Sequence, residues 1–228
     1  MAFVSAYDRA LASLVRRTVD LGREVEHMLH QALIALEATD AVLAASVRER
    51  DDYVDAEDTA IEADVLELIS WQQPRQRDLR RLAAILRVGR DLERIADYSC
   101  DIADSAGVLA GLPRLVPFGD LTRLGRLARR MVHEALATVE SEDLSRAGAV
   151  NAEDEAVDRL YADVRDDLVR LMEREPRAVR PAAELLLVAR YLERVGDHAV
   201  NIAETTVFTV EGRGRPFHQP ATPDPHEG

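Results

Sequence analysis

The two halves of this 228-residue chain repeat each other. When residues 20–40 are aligned with residues 123–143, nine of the 21 positions are identical, including a glycine, a methionine, a histidine and the final aspartate. An internal repeat of this kind is typical of a supersecondary unit that has been duplicated. The repeat therefore restricts the chain to folds with two equivalent halves.

Each copy predicts three long helices. Apolar residues recur every three to four positions, and prolines, which disrupt helix interiors, are confined to the segments between the periodic stretches. In the second helix of each copy the apolar positions are seven residues apart: Val47, Val54, Ile61 and Leu68, then Val150, Val157, Val164 and Leu171. Asp40 can cap the second helix. The predicted helices are 3–38, 41–72, one that runs from after Pro74 to about Gly107, 119–141, 143–174 and 179–210.

We infer an all-α fold of two tandem, pseudo-symmetric three-helix bundles. The first unit is assigned to residues 1–110 and the second to 118–211, and residues 212–228 are expected to be a disordered tail because they lack periodicity. The sequences LERIAD (92–97) and LERVGD (192–197) are 100 residues apart, whereas the earlier matches are 103 apart. The sequence therefore predicts a three-residue deletion in the loop before the last helix.

Composition excludes several classes of function. The 42 acidic and 29 basic residues give a net charge of −13, which disfavours binding to nucleic acid. The single cysteine leaves no disulfide framework and favours a reducing compartment. The apolar runs are too short to span a bilayer, and the first residues do not resemble a signal peptide. We expect a cytoplasmic protein.

Four pairs of acidic residues occupy matching positions in the two copies. The members of a pair are four residues apart, so they share a helix face, where like charges repel. They also lie beside apolar core positions, where a carboxylate needs a compensating partner. The pairs and the residues that extend them are Asp51 with Asp55, Glu93 with Asp97 and Asp101, Asp154 with Asp158, and Glu193 with Asp197 and Asn201.

Two kinds of partner can satisfy these carboxylates. The first is arginine, since Arg90 and Arg190 precede Glu93 and Glu193 by three residues, and acid–base ladders are common on exposed helix faces. The second is a metal ion, because two antiparallel helices that each carry acid-x-x-x-acid would bring four carboxylates together. An oxygen-only shell suits Mg²⁺, Ca²⁺, Mn²⁺ or iron. The sequence leaves both alternatives open.

A di-iron enzyme site is less well supported. Glu24 and His27 form one Glu-x-x-His pattern, but a ferritin-like centre needs two on different helices, and the second copy has Leu127 and Arg130 at these positions. No phosphate-binding loop or nucleophile motif is present in the sequence. We therefore predict that the chain is not an enzyme.

Single residues outside the acidic pairs favour structural roles. His30 and His133 match between the copies and are expected on helix faces. His198 is expected to pack its ring near an edge between helices, and Cys100 to behave as a small buried hydrophobe. Trp71 ends the second helix and is expected to close the end of the bundle.

The duplicated unit with LERIADYSCDIAD and LERVGDHAVNIAE resembles the PhoU family of phosphate-signalling regulators. In that family the third helix of each repeat carries Glu-Arg-Ile/Val-Gly-Asp-His followed by Asn-Ile, and the second carries Asp/Glu-x-x-x-Asp. The resemblance covers about residues 5–210. The first copy departs from the pattern at Ala96, Tyr98 and Asp101, although its acidic positions are retained.

The resemblance implies a non-enzymatic, cytoplasmic and often dimeric negative regulator of phosphate uptake and of the phosphate-starvation response. Its implied partners are the ATPase subunit of a Pst-type phosphate ABC transporter and a sensor histidine kinase, through which it would associate with the membrane. It also implies metal ions, including iron or zinc clusters, on the acidic surface. The alternatives are a PhoU-like accessory protein of another phosphate transporter, a di-iron carboxylate enzyme and a structural spacer.

Overall fold

The computed structural model describes residues 6–71, 74–114 and 119–212. These residues form six α-helices and one 3₁₀ turn, with no β-strand among them. The all-α prediction is confirmed, and the third helix ends three residues beyond the predicted Gly107. The predicted disordered tail lies outside the described residues from position 213 onward. The helices are α1 Ala6–Ala38, α2 Ala41–Trp71, α3 Gln76–Ala110, α4 Gly119–Ser141, α5 Leu144–Arg174 and α6 Val179–Glu211.

The helices form two three-helix bundles joined through four of their members. Within each bundle every helix contacts the other two. Between the bundles, α3 packs against α6 and α1 packs against α4, whereas the contacts of α2 and α5 stay within their own bundles in the described ranges. The molecule therefore has a four-helix centre with one outer helix on each side. This arrangement confirms the predicted pseudo-symmetric bundles.

Two equivalent glycines allow α1 and α4 to approach closely. A Cβ atom on Gly22 would lie 2.2 Å from Leu136 Cδ2, and one on Gly125 would lie 2.5 Å from Leu33 Cδ2. The duplication places Gly22 at the position of Gly125, and Leu33 at the position of Leu136. Each bundle thus inserts a leucine into the space left by a glycine of the other bundle, and the same contact occurs twice.

Equivalent turns connect the first two helices of each bundle. Asp40 Oδ1 accepts hydrogen bonds from the backbone N–H groups of Val42 and Leu43, so the predicted cap of α2 is confirmed. In the second bundle Asp143 accepts from the backbone N–H of Ser145. Because these carboxylates satisfy N–H groups that lack a partner within the helix, they define where α2 and α5 begin.

The loops before α3 and α6 differ by the predicted three residues. Positions 72–75 separate α2 from α3, whereas Glu175 alone separates α5 from the 3₁₀ turn Pro176–Ala178. That turn leads directly into α6 and occupies the positions equivalent to the first residues of α3. The shorter loop accounts for the change of spacing from 103 to 100 residues between the copies.

The prediction that Trp71 closes the end of the bundle is wrong. Its side chain is 79% exposed and lies at the edge of a groove that also contains Leu14 and Leu68. The reason is the position of α2 at the outside of the molecule. Since α2 packs only against α1 and α3 within the described residues, its outward face has no helix to cover an aromatic ring.

The close approach of α1 and α4 at Gly22 predicts that a larger residue at this position destabilises the protein. Gly22→Ala should lower the free energy of unfolding by about 1–3 kcal/mol, because the buried Leu136 side chain must move to admit a methyl group. Gly148→Ala is the matched control, since a Cβ there meets nothing within 4 Å and alanine favours helix by up to about 1 kcal/mol. Denaturant unfolding would measure both. Equal stabilisation by the two substitutions would contradict the packing described.

Candidate functional site

The predicted acidic residues lie along two helix–helix crevices at equivalent places in the two bundles. The first crevice separates α2 from α3, and the second separates α5 from α6. We call their predicted ligands the first acidic cluster and the second acidic cluster. The first consists of Asp51, Asp55, Glu93, Asp97 and Asp101, and the second of Asp154, Asp158, Glu193, Asp197 and Asn201.

In the first acidic cluster, carboxylates of α2 face carboxylates of α3. Burial raises the pKa of Asp51 above its ordinary value, and the negative charges of Asp55 and Asp97 raise it further. The pKa of Asp101 is also raised, by burial and then by the charges of Asp104 and Asp97. Because both helices contribute to this repulsion, the structure brings the α2 and α3 stripes together as predicted.

Asp58 is an additional member of this crevice that was not predicted. Burial raises its pKa, and the charge of Glu93 on α3 adds to the increase. A Cβ atom on Gly89 would lie 2.2 Å from Asp58 Oδ1, so this glycine provides the space that the carboxylate fills. The available signal was the position of Asp58, seven residues after Asp51 on the same helix stripe. In the second bundle the equivalent positions are Tyr161 and Ala189.

The second acidic cluster contains the most deeply buried of the candidate ligands. Asp154 is only 5% exposed, as expected from its place in the apolar seam of α5. The side chain of Glu193 is 14% exposed, and burial followed by the charge of Asp197 raises its pKa, with Asp158 contributing from α5. Its Oε2 atom is buried and accepts no hydrogen bond from any residue that the structure describes.

Arginine side chains pair with Glu193, Asp197 and Asp97. Arg190 Nη1 lies 2.6 Å from Glu193 Oε1, and Arg194 Nη1 lies 3.3 Å from Asp197 Oδ2. In the first bundle Arg94 Nη1 lies 3.0 Å from Asp97 Oδ2. Each pair joins neighbours on one helix, and the arginines are more than a third exposed, so the pairs are worth no more than about 1 kcal/mol each. The arginine alternative is therefore realised, but only weakly.

The side chain of Asn201 contacts the other bundle. Its Nδ2 donates a hydrogen bond of 3.3 Å to Asp91 Oδ1 on α3, and His198 Nδ1 lies 2.8 Å from the same oxygen. The ring of Tyr98 lies 5.9 Å from that of His198 and is stacked on Tyr191 at 5.8 Å. The ring packing predicted for His198 is confirmed. Asp91 and the two tyrosines were missed, because only the pairing of α3 with α6 brings them together.

The oxygen atoms of the two acidic clusters are of the chemical type that binds cations, but their positions are not those of a formed cation site. No group of three or more His, Cys, Asp or Glu side chains in residues 6–71, 74–114 and 119–212 is already gathered as a metal-binding set. Yet the crevices hold facing, partly buried carboxylates with raised pKa values, and the buried Glu193 Oε2 accepts no hydrogen bond within the described part of the chain. Oxygen-rich sites of this kind suit hard cations. The donor chemistry therefore fits a hard cation, whereas the positions of the described side chains do not form a site for one.

Comparison with known proteins identifies the family. The sequence model of the PhoU domain matches residues 18–106 and 121–206, that is, one domain in each bundle. The chain belongs to the PhoU family. The two matched segments contain Glu93, Asp97, Glu193 and Asp197.

Relatives of this PhoU-family chain match it over nearly their whole length. The phosphate-specific transport system accessory protein PhoU homologue of Xylella fastidiosa (strain 9a5c) is 34% identical over 209 residues, which are 92% of this chain and 88% of that protein. The protein of the same name from Deinococcus radiodurans is 34% identical over 207 residues, covering 91% and 97%.

Two solved structures share the fold. PhoU from Pseudomonas aeruginosa is 32% identical with a TM-score of 0.87, and the match covers 91% of this chain and 100% of that one. The phosphate transport system regulatory protein PhoU from Streptococcus pneumoniae is 25% identical with a TM-score of 0.86, covering 92% and 99%. Among the described residues of the present chain, no helix has the length and apolar character needed to cross a membrane.

The burial of Glu193 makes a prediction about stability and pH. In metal-free protein, Glu193→Gln should raise the free energy of unfolding at neutral pH, because a neutral amide escapes the desolvation and repulsion that raise the carboxyl pKa. A carboxyl whose pKa is raised in the folded state stabilises the native state at pH values below its pKa in the unfolded chain, about 4.3. This stabilisation is lost as the pH rises through the pKa of the folded state. The gain should therefore shrink as the pH falls.

Asp143→Asn is the matched control, and its expected effect on the free energy of unfolding has the opposite sign. Hydrogen bonds from Ser145 lower the pKa of this N-cap carboxylate, so its stabilising effect is present above the unfolded pKa and is lost as the pH falls. Denaturant unfolding of the two variants at neutral and acidic pH would measure both effects. A Glu193→Gln variant less stable than the parent at neutral pH would show that the arginine contacts outweigh the burial.

Proposed function

We propose that this PhoU-family chain is a negative regulator of phosphate uptake that acts as an accessory protein of a phosphate-specific transport system. The observation that carries the proposal is the full-length similarity to proteins named as accessory or regulatory proteins of that system. The fold supports it, because both bundles of those proteins are matched. When phosphate is plentiful, the regulator represses uptake and the phosphate-starvation response.

The regulator acts by contact in this proposal. Its partners are the ATPase subunit of a Pst-type phosphate ABC transporter and a sensor histidine kinase, and it functions as a homodimer in the cytoplasm. The six long helices suit such a role because their grooves can accept helices of other proteins. Association with the membrane takes place through these partners. The net charge of −13 opposes association with nucleic acid.

The two acidic clusters bind divalent or trivalent metal ions in this proposal. The residues that would hold the metal are Asp51, Asp55, Glu93, Asp97 and Asp101 in the first bundle, and Asp154, Asp158, Glu193, Asp197 and Asn201 in the second. A bound cation would neutralise the facing carboxylates. The raised pKa values of Asp51, Asp101 and Glu193 support this role, because they indicate negative charge without sufficient compensation.

The chain acts without catalysis in this proposal. Its relatives are named as accessory or regulatory proteins. The one Glu-x-x-His pattern does not support the di-iron alternative, because Glu24 Oε1 accepts a hydrogen bond from Arg50 on α2. Glu24 is therefore engaged in an ion pair between α1 and α2.

Metal binding can be tested by counting ions. Metal-free protein dialysed against Mn²⁺ or Zn²⁺ should retain at least about one ion per acidic cluster, because each contains the carboxylates that such a site requires. The double variant Glu193→Gln, Asp197→Asn should lose about one ion per chain. Asp163→Asn with Asp166→Asn is the control, since it removes the same charge from exposed positions of α5. Equal metal content in all three proteins would contradict the assignment.

The regulatory role is tested by phosphate uptake in cells. Deleting the gene should increase uptake in phosphate-rich medium, because the transporter would no longer be repressed, and the wild-type gene should restore the lower rate. Unchanged uptake after deletion would refute the regulatory proposal. A gene carrying Asp51→Asn, Asp97→Asn, Glu193→Gln and Asp197→Asn should fail to restore repression. Full restoration of repression by that gene would support the regulatory role and contradict the role of the metal.

A further inference from the structure

A groove between α1 and α2 ends at the only tryptophan of the chain. Its lining lies within residues 10–17 of α1 and residues 64–71 of α2, about two turns of each helix, and it encloses about 280 Å³. Leu14 and Leu68 supply apolar surface, and Trp71 stands at the edge, 79% exposed. Tryptophan is enriched among the residues that dominate binding energy at protein interfaces. The groove therefore has the length and the apolar character that suit two turns of a guest helix.

The charge around this groove is strongly negative. α2 has a net charge of −7, from nine acidic against two basic residues, and both basic residues precede position 51. Arg17, the basic residue in the lining, already pairs with Glu57 and Asp64 of α2. Glu67 is exposed, and its carboxylate forms no ion pair with any residue in the part of the chain that the structure describes. The groove thus offers a carboxylate to an incoming cation.

The end of α2 also favours a cation. The last carbonyl groups of a helix carry partial negative charge, which basic side chains usually offset, yet the last turn of α2 contains no basic residue. The equivalent helix α5 has Arg174 in its last turn, at the position of Trp71, and Arg170 at the position of Glu67. The second bundle therefore contains its own cations where the first presents an indole ring and a carboxylate, both of which attract cations.

We propose that the α1–α2 groove binds a basic amphipathic helix of a partner protein. Apolar residues of that helix contact Leu14 and Leu68, and an arginine or lysine lies between Trp71 and Glu67. The equivalent groove of the second bundle rejects such a helix, because Arg170 and Arg174 repel it. This inference rests on the proposed function as a regulator that acts by contact, and it adds the contact surface and the chemistry of the partner.

Fluorescence of Trp71 tests the inference in the full-length protein. The probe is a synthetic helical peptide without tryptophan that carries leucines at positions i, i+3, i+4 and i+7 and arginines beside them. Because Trp71 is the only tryptophan, a shift of the emission to shorter wavelength and weaker quenching by acrylamide should accompany peptide binding. A peptide with the same leucines and glutamates in place of the arginines should bind at least about tenfold more weakly.

Variants at exposed positions locate the binding site. Glu67→Arg should weaken binding of the basic peptide, measured by anisotropy of a labelled copy, at least about tenfold. Glu62→Arg is the matched control, since it makes the same charge change at an exposed position of α2 outside the groove lining, and it should retain the affinity. Arg170→Glu with Arg174→Trp copies the first groove into the second bundle and should raise the stoichiometry from one peptide per chain to two.

Several results would overturn the inference. These are equal affinity for the basic and acidic peptides, or binding that Glu67→Arg leaves unchanged. An emission shift caused in the free protein by Arg215→Glu would identify the C-terminal residues of the chain itself as the occupant. A shift that depends on protein concentration would identify a second copy.

A test in cells separates this inference from the proposed function. A gene carrying Glu67→Arg should fail to restore repression of phosphate uptake in the deletion strain, whereas one carrying Glu62→Arg should restore it. Full restoration by the Glu67→Arg gene would contradict the use of the groove and leave the regulatory role intact. Unchanged uptake after deletion of the gene would refute the regulatory role itself, on which the inference rests.

Discussion

The close packing of the four central helices is the constraint on which the rest of the molecule depends. Gly22 and Gly125 each admit a leucine from the opposite bundle, and this repeated contact holds α1 against α4 while α3 packs against α6. The outer helices α2 and α5 then pack beside α3 and α6, on the two sides of this four-helix centre. Both crevices, with their facing carboxylates, are consequences of that placement.

Facing carboxylates oppose folding unless something compensates them. Burial and mutual repulsion raise the pKa values of Asp51, Asp101 and Glu193, and the arginine pairs beside them are too exposed to offset this cost fully. Residues that reduce stability yet occupy equivalent positions in both bundles are the pattern expected of a functional site. In the proposed function, a bound cation would supply the missing compensation.

The sequence alone was sufficient to predict the helices, the duplication, the Asp40 cap and the loop deletion, because each is visible as a pattern along the chain. It was also sufficient for the carboxylates at the edges of the seams. It failed where the identity of the neighbouring helix decides the outcome. Trp71 is exposed because no helix of residues 6–71, 74–114 and 119–212 lies outside α2. Asp58 lies near Glu93 in the space at Gly89, and Asn201 contacts Asp91 across the central seam. A repeat pattern shows which face of a helix is apolar, but not which helix covers it.

The most direct test of the account is a crystal structure of the protein prepared with zinc or manganese. The account predicts a metal ion in each crevice, with carboxylates of α2 and α3, and of α5 and α6, turned towards it. It also predicts that Arg190 has moved away from Glu193 and Arg94 from Asp97, because the cation replaces them as the partner. Crevices in which both arginine pairs remain intact and no metal density appears would contradict it.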